Sequence, residues 1–398
     1  MSEYDVAVVG GGCVGLSVAY HLAGDGLAVA VLEKEYHLAA HQSGRNSGVL
    51  HPGFNYPPGS RKAHFATEGT RRTKAFCEEH GVPLDELGVV VAAQDDDEEA
   101  RLGDLADNAD ANGVAVELLD EEGLREREPH AAGQAALHCP EAASVDSQAY
   151  VYALGTAARD AGVDLLLGYR VEGASRTASG LRVHTDKGDV TADYLVNAAG
   201  LHADRLAAEL GVGDGARIVP FRGEYYELRP GRRDLCRTMI YPAPDPELPF
   251  LGVHFTRRAD GKVIVGPNAV LAFGREAYRN TDFDLGDLAE TLSYGGFWRL
   301  VASRKMLGVA REELAKSYRK ARFVAASQRL VPDVRGADLA RSYAGIRAQL
   351  VSPNGDLVKD PVFETGPRSL HVLNAVSPGL TSSLPLGEHL AGRVDEAL

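Results

Sequence analysis

The sequence predicts an α/β protein, α+β overall, in which one layered domain is assembled from separated stretches of chain and a sheet-rich domain is inserted into it. Three observations carry this. Apolar strand-type runs alternate with helix-type stretches at both ends of the chain, as at Tyr4–Val9, Leu27–Leu32, Tyr194–Asn197 and Leu370–Ala375. Residues 217–331 change style, with strand-like runs such as Arg222–Leu228 and Lys262–Val265 among prolines, aromatics and the only tryptophan, Trp298. At 398 residues, 44% apolar and 25% charged, the chain is an ordinary globular one long enough for two domains. The expected division is 1–85, 141–215 and 335–398 for the first domain, and 86–140 with 216–334 for the inserted mixed or antiparallel sheet.

The first strand runs into Gly10-Gly11-Gly12-Cys13-Val14-Gly15, which holds the spacing G-x-G-x-x-G, and a helix-like stretch follows to Ala23. The second strand then ends in Glu33, 18 residues after Gly15. Strand, glycine turn, helix, strand and acid together specify a Rossmann-like dinucleotide site. Gly10 permits the turn, Gly12 lets backbone approach a pyrophosphate, Gly15 lets helix pack on strand, and the helix N-terminus faces the phosphates. A glycine-rich turn of some other α/β protein would leave Glu33 unexplained. The acid disfavours a 2′-phosphate and hence NADP, but the fingerprint does not choose between NAD and FAD.

A polar loop follows, His41 to Gly48, then a helix from about Lys62 to His80 stopped by Gly81 and Pro83. The acid run Asp95–Glu99 opens an exposed helix, and 110–140 reads as charged and irregular. A second α/β unit has a helix at Asp146–Ala161 and strands at Val163–Leu167, Arg170–Ala174, Leu181–Thr185, Asp189–Tyr194 and Tyr194–Gly200, then a helix through Leu210. Ser342–Arg347 leads to a Pro353–Asp356 turn, and Ser377–Ser382 opens a terminal helix ending near Val394.

A net charge of −14 argues against nucleic acid as a partner and against polybasic lipid attachment. No stretch approaches the ~20 apolar residues of a membrane span. The fingerprint starts so near the first methionine that no signal peptide is expected, so the location expected is cytoplasmic, with peripheral contact at the inner face of the cell membrane left open. Cys13, Cys77, Cys139 and Cys236 are too scattered for a disulfide or zinc framework, and Cys13 reads as core. The thirteen histidines show no paired ligand spacing, so no metal is expected.

Taken together, the fingerprint, the strand ending Val196-Asn-Ala-Ala-Gly200, the late Gly345-Ile-Arg347 and the glycine turn before the last helix resemble the FAD-dependent, D-amino-acid oxidase-like superfamily. Within it, His41–Gly48, Pro57–Ser60, Pro220–Tyr226, Phe250–Phe255, Val265–Ala269 and Ser377–Leu384 are similar to the L-2-hydroxyglutarate dehydrogenase/oxidase group. One departure is Ala348, where that group usually has proline. The resemblance implies a Rossmann-like FAD-binding domain, FAD rather than NAD, and oxidation of a dicarboxylate, L-2-hydroxyglutarate, to 2-oxoglutarate. Electrons would pass to oxygen or a quinone. Two alternatives stay open: a sister enzyme acting on glycine, sarcosine, malate or glycerol 3-phosphate, and a non-catalytic FAD-containing subunit.

Such chemistry needs a base for the hydroxyl proton, a cation for the carboxylate, and stabilisation of charge on the flavin. His254 and His51 compete as base, each against a structural role. Arg347 is the carboxylate clamp expected by resemblance, since a planar guanidinium binds a carboxylate bidentately. Arg222, Lys62 and Tyr225 are candidates for the rest of the substrate, the first two for its second carboxylate. Pro378, Gly379, Leu380 and Thr381 would bring helix N-terminal N–H groups to the flavin. His41, Arg45, Asn46, Ser47 and Gly48 look like contacts along the cofactor. Lys34, Val171, Ala199, Gly200 and Gly345 complete the set with Gly10, Gly12, Val14, Gly15 and Glu33.

Overall fold

The computed structural model describes residues 2–178, 180–245, 251–302, 304–375 and 377–398, with nothing said of the side chains of residues 304 and 305. Phe250, at the head of one of the resembling segments, lies outside the described residues.

Strand Tyr4–Val9 is the centre of an eight-stranded sheet. It lies parallel to Gly188–Asn197 on one side and Val29–Glu33 on the other, with Val8 level with Val196 and Val31. All of Val6–Val9 are buried, as expected of a parallel strand covered on both faces. Helices Cys13–Gly24, Ser147–Asp160 and Ser383–Asp395 supply Leu16, Leu154 and Leu390 to the core against this sheet. Gly387 allows the last helix to approach the first, because a Cβ there would collide with Ser17.

The second sheet has nine strands, ordered Val270–Leu271, Arg217–Leu228, Val263–Gly266, His254–Arg257, Met239–Pro242, Val89–Ala93, Ala135–Cys139 and Glu117–Asp120, with Leu339–Val351 also paired to Arg217–Leu228. It is mixed: Met239–Pro242 is parallel to Val89–Ala93 and the other pairs are antiparallel. A three-stranded sheet of Val49–Leu50, Ala143–Val145 and Leu84–Asp85 joins the two parts.

Several expectations are corrected. Leu339–Val351 belongs to the second sheet, not the first domain: it pairs with Arg217–Leu228 from Leu339 to Val351, Arg347 facing Phe221. The two runs on either side of Tyr194 are one strand, Gly188–Asn197, bonded to Leu181–Thr185 at one end and Tyr4–Val9 further on. The irregular 110–140 stretch holds a short helix and two strands of the second sheet. The described residues of 285–328 form four helices, Leu285–Ser293, Gly295–Ala302, Arg304–Tyr318 and Lys320–Gln328, where only sheet was expected. The terminal helix starts at Ser383, so Ser377–Ser382 is a turn before it, closed by the Ser382 N–H donating to the Pro378 carbonyl.

Candidate active site

One cavity of about 850 Å³ runs between the two sheets, from the glycine turn to the strands of the second sheet. At one end stand Gly10, Gly12, Val14, Gly15, Glu33, Lys34 and Val171. Gly10 has φ +107°, and a side chain there would meet the Ala198 carbonyl. The helix Cys13–Gly24 begins at Gly12, which has no side chain to cap it; Ser43 takes the Cys13 N–H, and the rest of the first turn and the dipole face an anion. Glu33 accepts from the N–H of Gly11 at 2.8 Å and of Glu35 at 2.9 Å, so its carboxylate is fixed at the strand end.

The loop 41–48 lies along the middle of the cavity. Asn46 ties it internally by donating to the Gln42 and Ser43 carbonyls. Ser43 Oγ accepts from the Cys13 N–H at 3.0 Å, joining the loop to the glycine turn. Arg45 donates to the Ala40 carbonyl and lies over the Tyr278 ring at 4.3 Å. Gly345 is needed because a Cβ there would overlap the Arg45 carbonyl oxygen. His41 joins Tyr278 Oη and Glu35 at 2.7 and 2.9 Å. Glu35, His41 and Glu276 converge closely enough to hold an ion, but the Lys34 ammonium already pairs with both carboxylates. The hydrogen bond from His202, with Lys34 and His41 beside it, pulls Glu276 well below the usual carboxylate range.

The far end holds His51, His254, Tyr225, Tyr241, Lys62 and Arg347. His254 opens a short strand, and its Nδ1–H donates to the Gly252 carbonyl at 2.8 Å, which leaves Nε2 as the ring's acceptor. Tyr241 on the neighbouring strand lies 4.3 Å from the His254 ring and 6.1 Å from the His51 ring, centroid to centroid. Burial pushes both imidazoles down to about 4, and Arg347 and His51 add to the effect on His254. Both rings are therefore neutral at physiological pH. Desolvation also lowers Arg347, opposed by Tyr225 and Glu313, while its Nη1 reaches the Asn268 carbonyl at 3.4 Å. Burial lowers Lys62 too, its ammonium 5.6 Å from the Tyr56 ring.

Thr381 locks the last turn in place. Its Oγ1 accepts from the His51 N–H and donates to the Val49 carbonyl. Pro378, Gly379, Leu380 and Thr381 line the cavity between the dinucleotide end and the histidines.

The structure thus brings together every sequence-expected residue except two. Gly48 is outside the cavity wall; its φ of +77° lets it pass the Val145 carbonyl. Arg222 is also outside: its guanidinium is spent on the carbonyls of Ala277 and Arg279, on Asn280 and on Glu224. Tyr241 was missed, although it sits two residues into an apolar strand run; nothing local distinguishes a tyrosine facing a cavity from one facing a core.

The site fits a flavin dinucleotide on its own features. The helix start at the glycine turn, the glycines at points of close approach and the fixed Glu33 suit an ADP moiety. The cavity continues past the turn at Pro378–Thr381 far enough to take an isoalloxazine and a small acid.

Comparison with known proteins agrees. The model of the family described as FAD dependent oxidoreductase (DAO) matches residues 5–393. L-2-hydroxyglutarate dehydrogenase of Escherichia coli strain K12 is 40% identical over 398 residues, covering 99% of this chain and 94% of that one. The human mitochondrial L-2-hydroxyglutarate dehydrogenase is 36% identical, covering 99% of this chain and 89% of that one. Among solved structures, L-α-glycerophosphate oxidase from Mycoplasma pneumoniae, with FAD bound, superposes with a TM-score of 0.79 at 22% identity, covering 99% and 95% of the two chains. Glycine oxidase from Geobacillus kaustophilus gives 0.75 at 21%, covering 100% and 96%. At such identities these two speak for the fold alone.

Proposed function

The chain belongs to the FAD dependent oxidoreductase family, and from that premise we propose that it oxidises L-2-hydroxyglutarate to 2-oxoglutarate. The observation that carries the reading is the joining, in one cavity, of a dinucleotide turn with a half-buried arginine and two neutral histidines. The full-length likeness to L-2-hydroxyglutarate dehydrogenases supports the choice of hydroxyacid.

When bound, FAD supplies the hydride acceptor. Gly10, Gly12, Val14, Gly15 and Glu33 would hold its ADP half, the 41–48 loop its middle, and Pro378–Thr381 the flavin end. Arg347 takes the substrate's α-carboxylate. It is held for this task by the pairing of its strand with Arg217–Leu228, and a preorganised fork loses little on binding. Lys62 is the cation left for the second carboxylate, since Arg222 is committed elsewhere. His254 accepts the hydroxyl proton at Nε2 while its Nδ1–H stays on Gly252. A dianionic substrate raises the affinity of His254 for that proton, countering burial. His51, 6.1 Å from the same Tyr241 ring, is the competing base.

Electrons then go to oxygen or a quinone, and a peripheral contact with the inner face of the cell membrane belongs to the same reading. Among the described residues, no helix is long and apolar enough to cross a membrane. The test is anaerobic mixing of the yellow protein with single substrates. L-2-hydroxyglutarate should bleach the flavin. Bleaching by glycine, sarcosine, malate or glycerol 3-phosphate instead would reassign the substrate, and bleaching by none would make the chain a non-catalytic flavoprotein.

A further inference from the structure

One short strap of chain crosses the dinucleotide end of the cavity. It lies between the strand Val270–Leu271 and the helix Leu285–Ser293, and its working part is Arg275–Tyr278. From the second sheet it is braced by Arg222, only 4% exposed, which donates to the Ala277 and Arg279 carbonyls at 3.2 and 2.9 Å and to Asn280. The arginine that the sequence offered for substrate thus fixes the backbone of this strap.

From there the strap reaches three segments far apart in the chain. Arg275, 2% exposed, donates to the Leu201 carbonyl and to Asp204, 3.0 Å from Nη2 to Oδ2. Glu276 pairs with Lys34, the residue after Glu33, and accepts from His202 Nε2 at 2.9 Å. Tyr278 Oη bonds His41 Nδ1 at 2.7 Å, and the Arg45 guanidinium lies over its ring. Lys34, His41, Arg45, Leu201 and His202 all line the cavity, as does Glu276.

These ties are unequal. The Arg275–Asp204 pair is buried, and Asp204 Oδ2 also accepts from the Ile218 N–H at 2.9 Å. Parting it would strand two charges away from water. Glu276 stands nearer solvent, its side chain 37% exposed, and Tyr278 is half-buried. Water can replace the bonds these two make. An anionic Glu276 is repelled by a diphosphate, so its use to a dinucleotide is indirect: it holds Lys34 and His202 together at the cavity's edge.

We propose that Arg275–Tyr278 is a clasp that sets how fast FAD enters and leaves, with Arg275 its fixed end and Glu276 and Tyr278 its releasable one. Closed, it joins Lys34, the 41–48 loop and the turn at 201–204. The cofactor exchanges when the Glu276 and Tyr278 ties part. Both act as positioning residues, since they bond at the dinucleotide end and His254 and Arg347 stand at the other. The inference rests on FAD binding and not on the substrate proposed above.

A clasp and a direct cofactor contact differ in kinetics. Losing a contact made to FAD speeds release and weakens affinity by the same factor. Loosening a clasp lowers the barrier in both directions, so release and capture quicken together. Release from the full-length holoenzyme is followed by the rise of free-FAD fluorescence on dilution, and capture by its fall on mixing FAD with the full-length apoprotein. In Glu276→Gln with Tyr278→Phe both rates should rise about 10-fold, while Kd changes less than about 3-fold. Flavin reduction in the loaded variant should keep its wild-type rate. Unchanged exchange rates would overturn the proposal. So would faster release with unchanged capture, which would make these residues direct ligands of FAD, or a slowed flavin reduction, which would place them in the chemistry. The control is Arg329→Gln, which breaks a pair with Glu98 outside the cavity wall. Equal acceleration by that variant would show general loosening and also overturn the clasp. Should the double variant misfold, Tyr278→Phe alone, which removes one hydroxyl, is held to the same pattern: release and capture both faster, Kd little changed.

Discussion

Replacing Arg347 by lysine keeps a cation and removes the fork. Its backbone is held in the strand pair with Phe221, and its half-buried side chain lines the cavity with Tyr225 and reaches the Asn268 carbonyl. The shorter ammonium cannot supply two parallel N–H groups to a carboxylate. One charge-assisted bond lost in a desolvated site costs about 2–4 kcal/mol, which is a ~30- to 1000-fold fall in efficiency. The assay is stopped-flow flavin reduction across L-2-hydroxyglutarate concentrations, with FAD content measured beside it. The cofactor should stay, because Arg347 lies at the end of the cavity remote from the dinucleotide turn. An Arg347→Lys enzyme with near-normal efficiency would refute the clamp and leave Arg347 a structural residue.

Other outcomes follow from the same site. His254→Gln should slow flavin reduction roughly 10²–10⁴-fold with FAD retained; if His51→Gln does this and His254→Gln does not, the two roles are exchanged. Because burial holds both imidazoles at about 4, the acidic limb of kcat/KM, which reports the free enzyme, should lie nearer pH 4 than the ordinary ~6.5. A limb at 6.5 would show that the histidines are far better solvated than the structure has them. Gly345→Ala would drive a methyl into the Arg45 carbonyl and should release FAD on dilution; full flavin content after dialysis would contradict that packing. His371 is held by Asn197 and Ser369 and is also lowered to about 4 by burial. Its folded pKa lies below its unfolded one, so its contribution is intact above ~6.5 and is lost as pH falls toward 4. His371→Gln should therefore flatten the fall in Tm between pH 6.5 and 4; an unchanged slope would assign that fall to other groups.

How much of this was legible in the chain depended on how local each signal is. The glycine turn, Glu33 and the strands around Tyr4–Val9 were readable because each part acts within some thirty residues. The helices of 285–328 were not, because their periodicity is inverted or broken: in Arg304–Tyr318 the apolar stripe faces out, and Lys316 faces in. That Leu339–Val351 joins the second sheet was not readable, because its partner lies more than a hundred residues earlier and nothing in its own pattern names that partner. The glycine turn at 377–382 was readable as a turn but not as separate from the helix, since small polar residues suit either side of a helix start. At the site, resemblance led to Arg347, His254 and His51. Arg222 misled because an arginine's type does not reveal whether its donors are already taken by Ala277, Arg279 and Asn280. Tyr241 was invisible, since its place beside two histidines exists only after three segments meet.

The most direct test of the central claim is the stereochemistry of flavin reduction. One rigid clamp at Arg347 and one base at His254 allow only one α-hydrogen to face the flavin. Single-turnover bleaching under anaerobic conditions should therefore be complete with L-2-hydroxyglutarate and absent with the D-isomer, each molecule of 2-oxoglutarate matching one reduced flavin. Equal bleaching by the two isomers, or none by the L-isomer, would contradict the account.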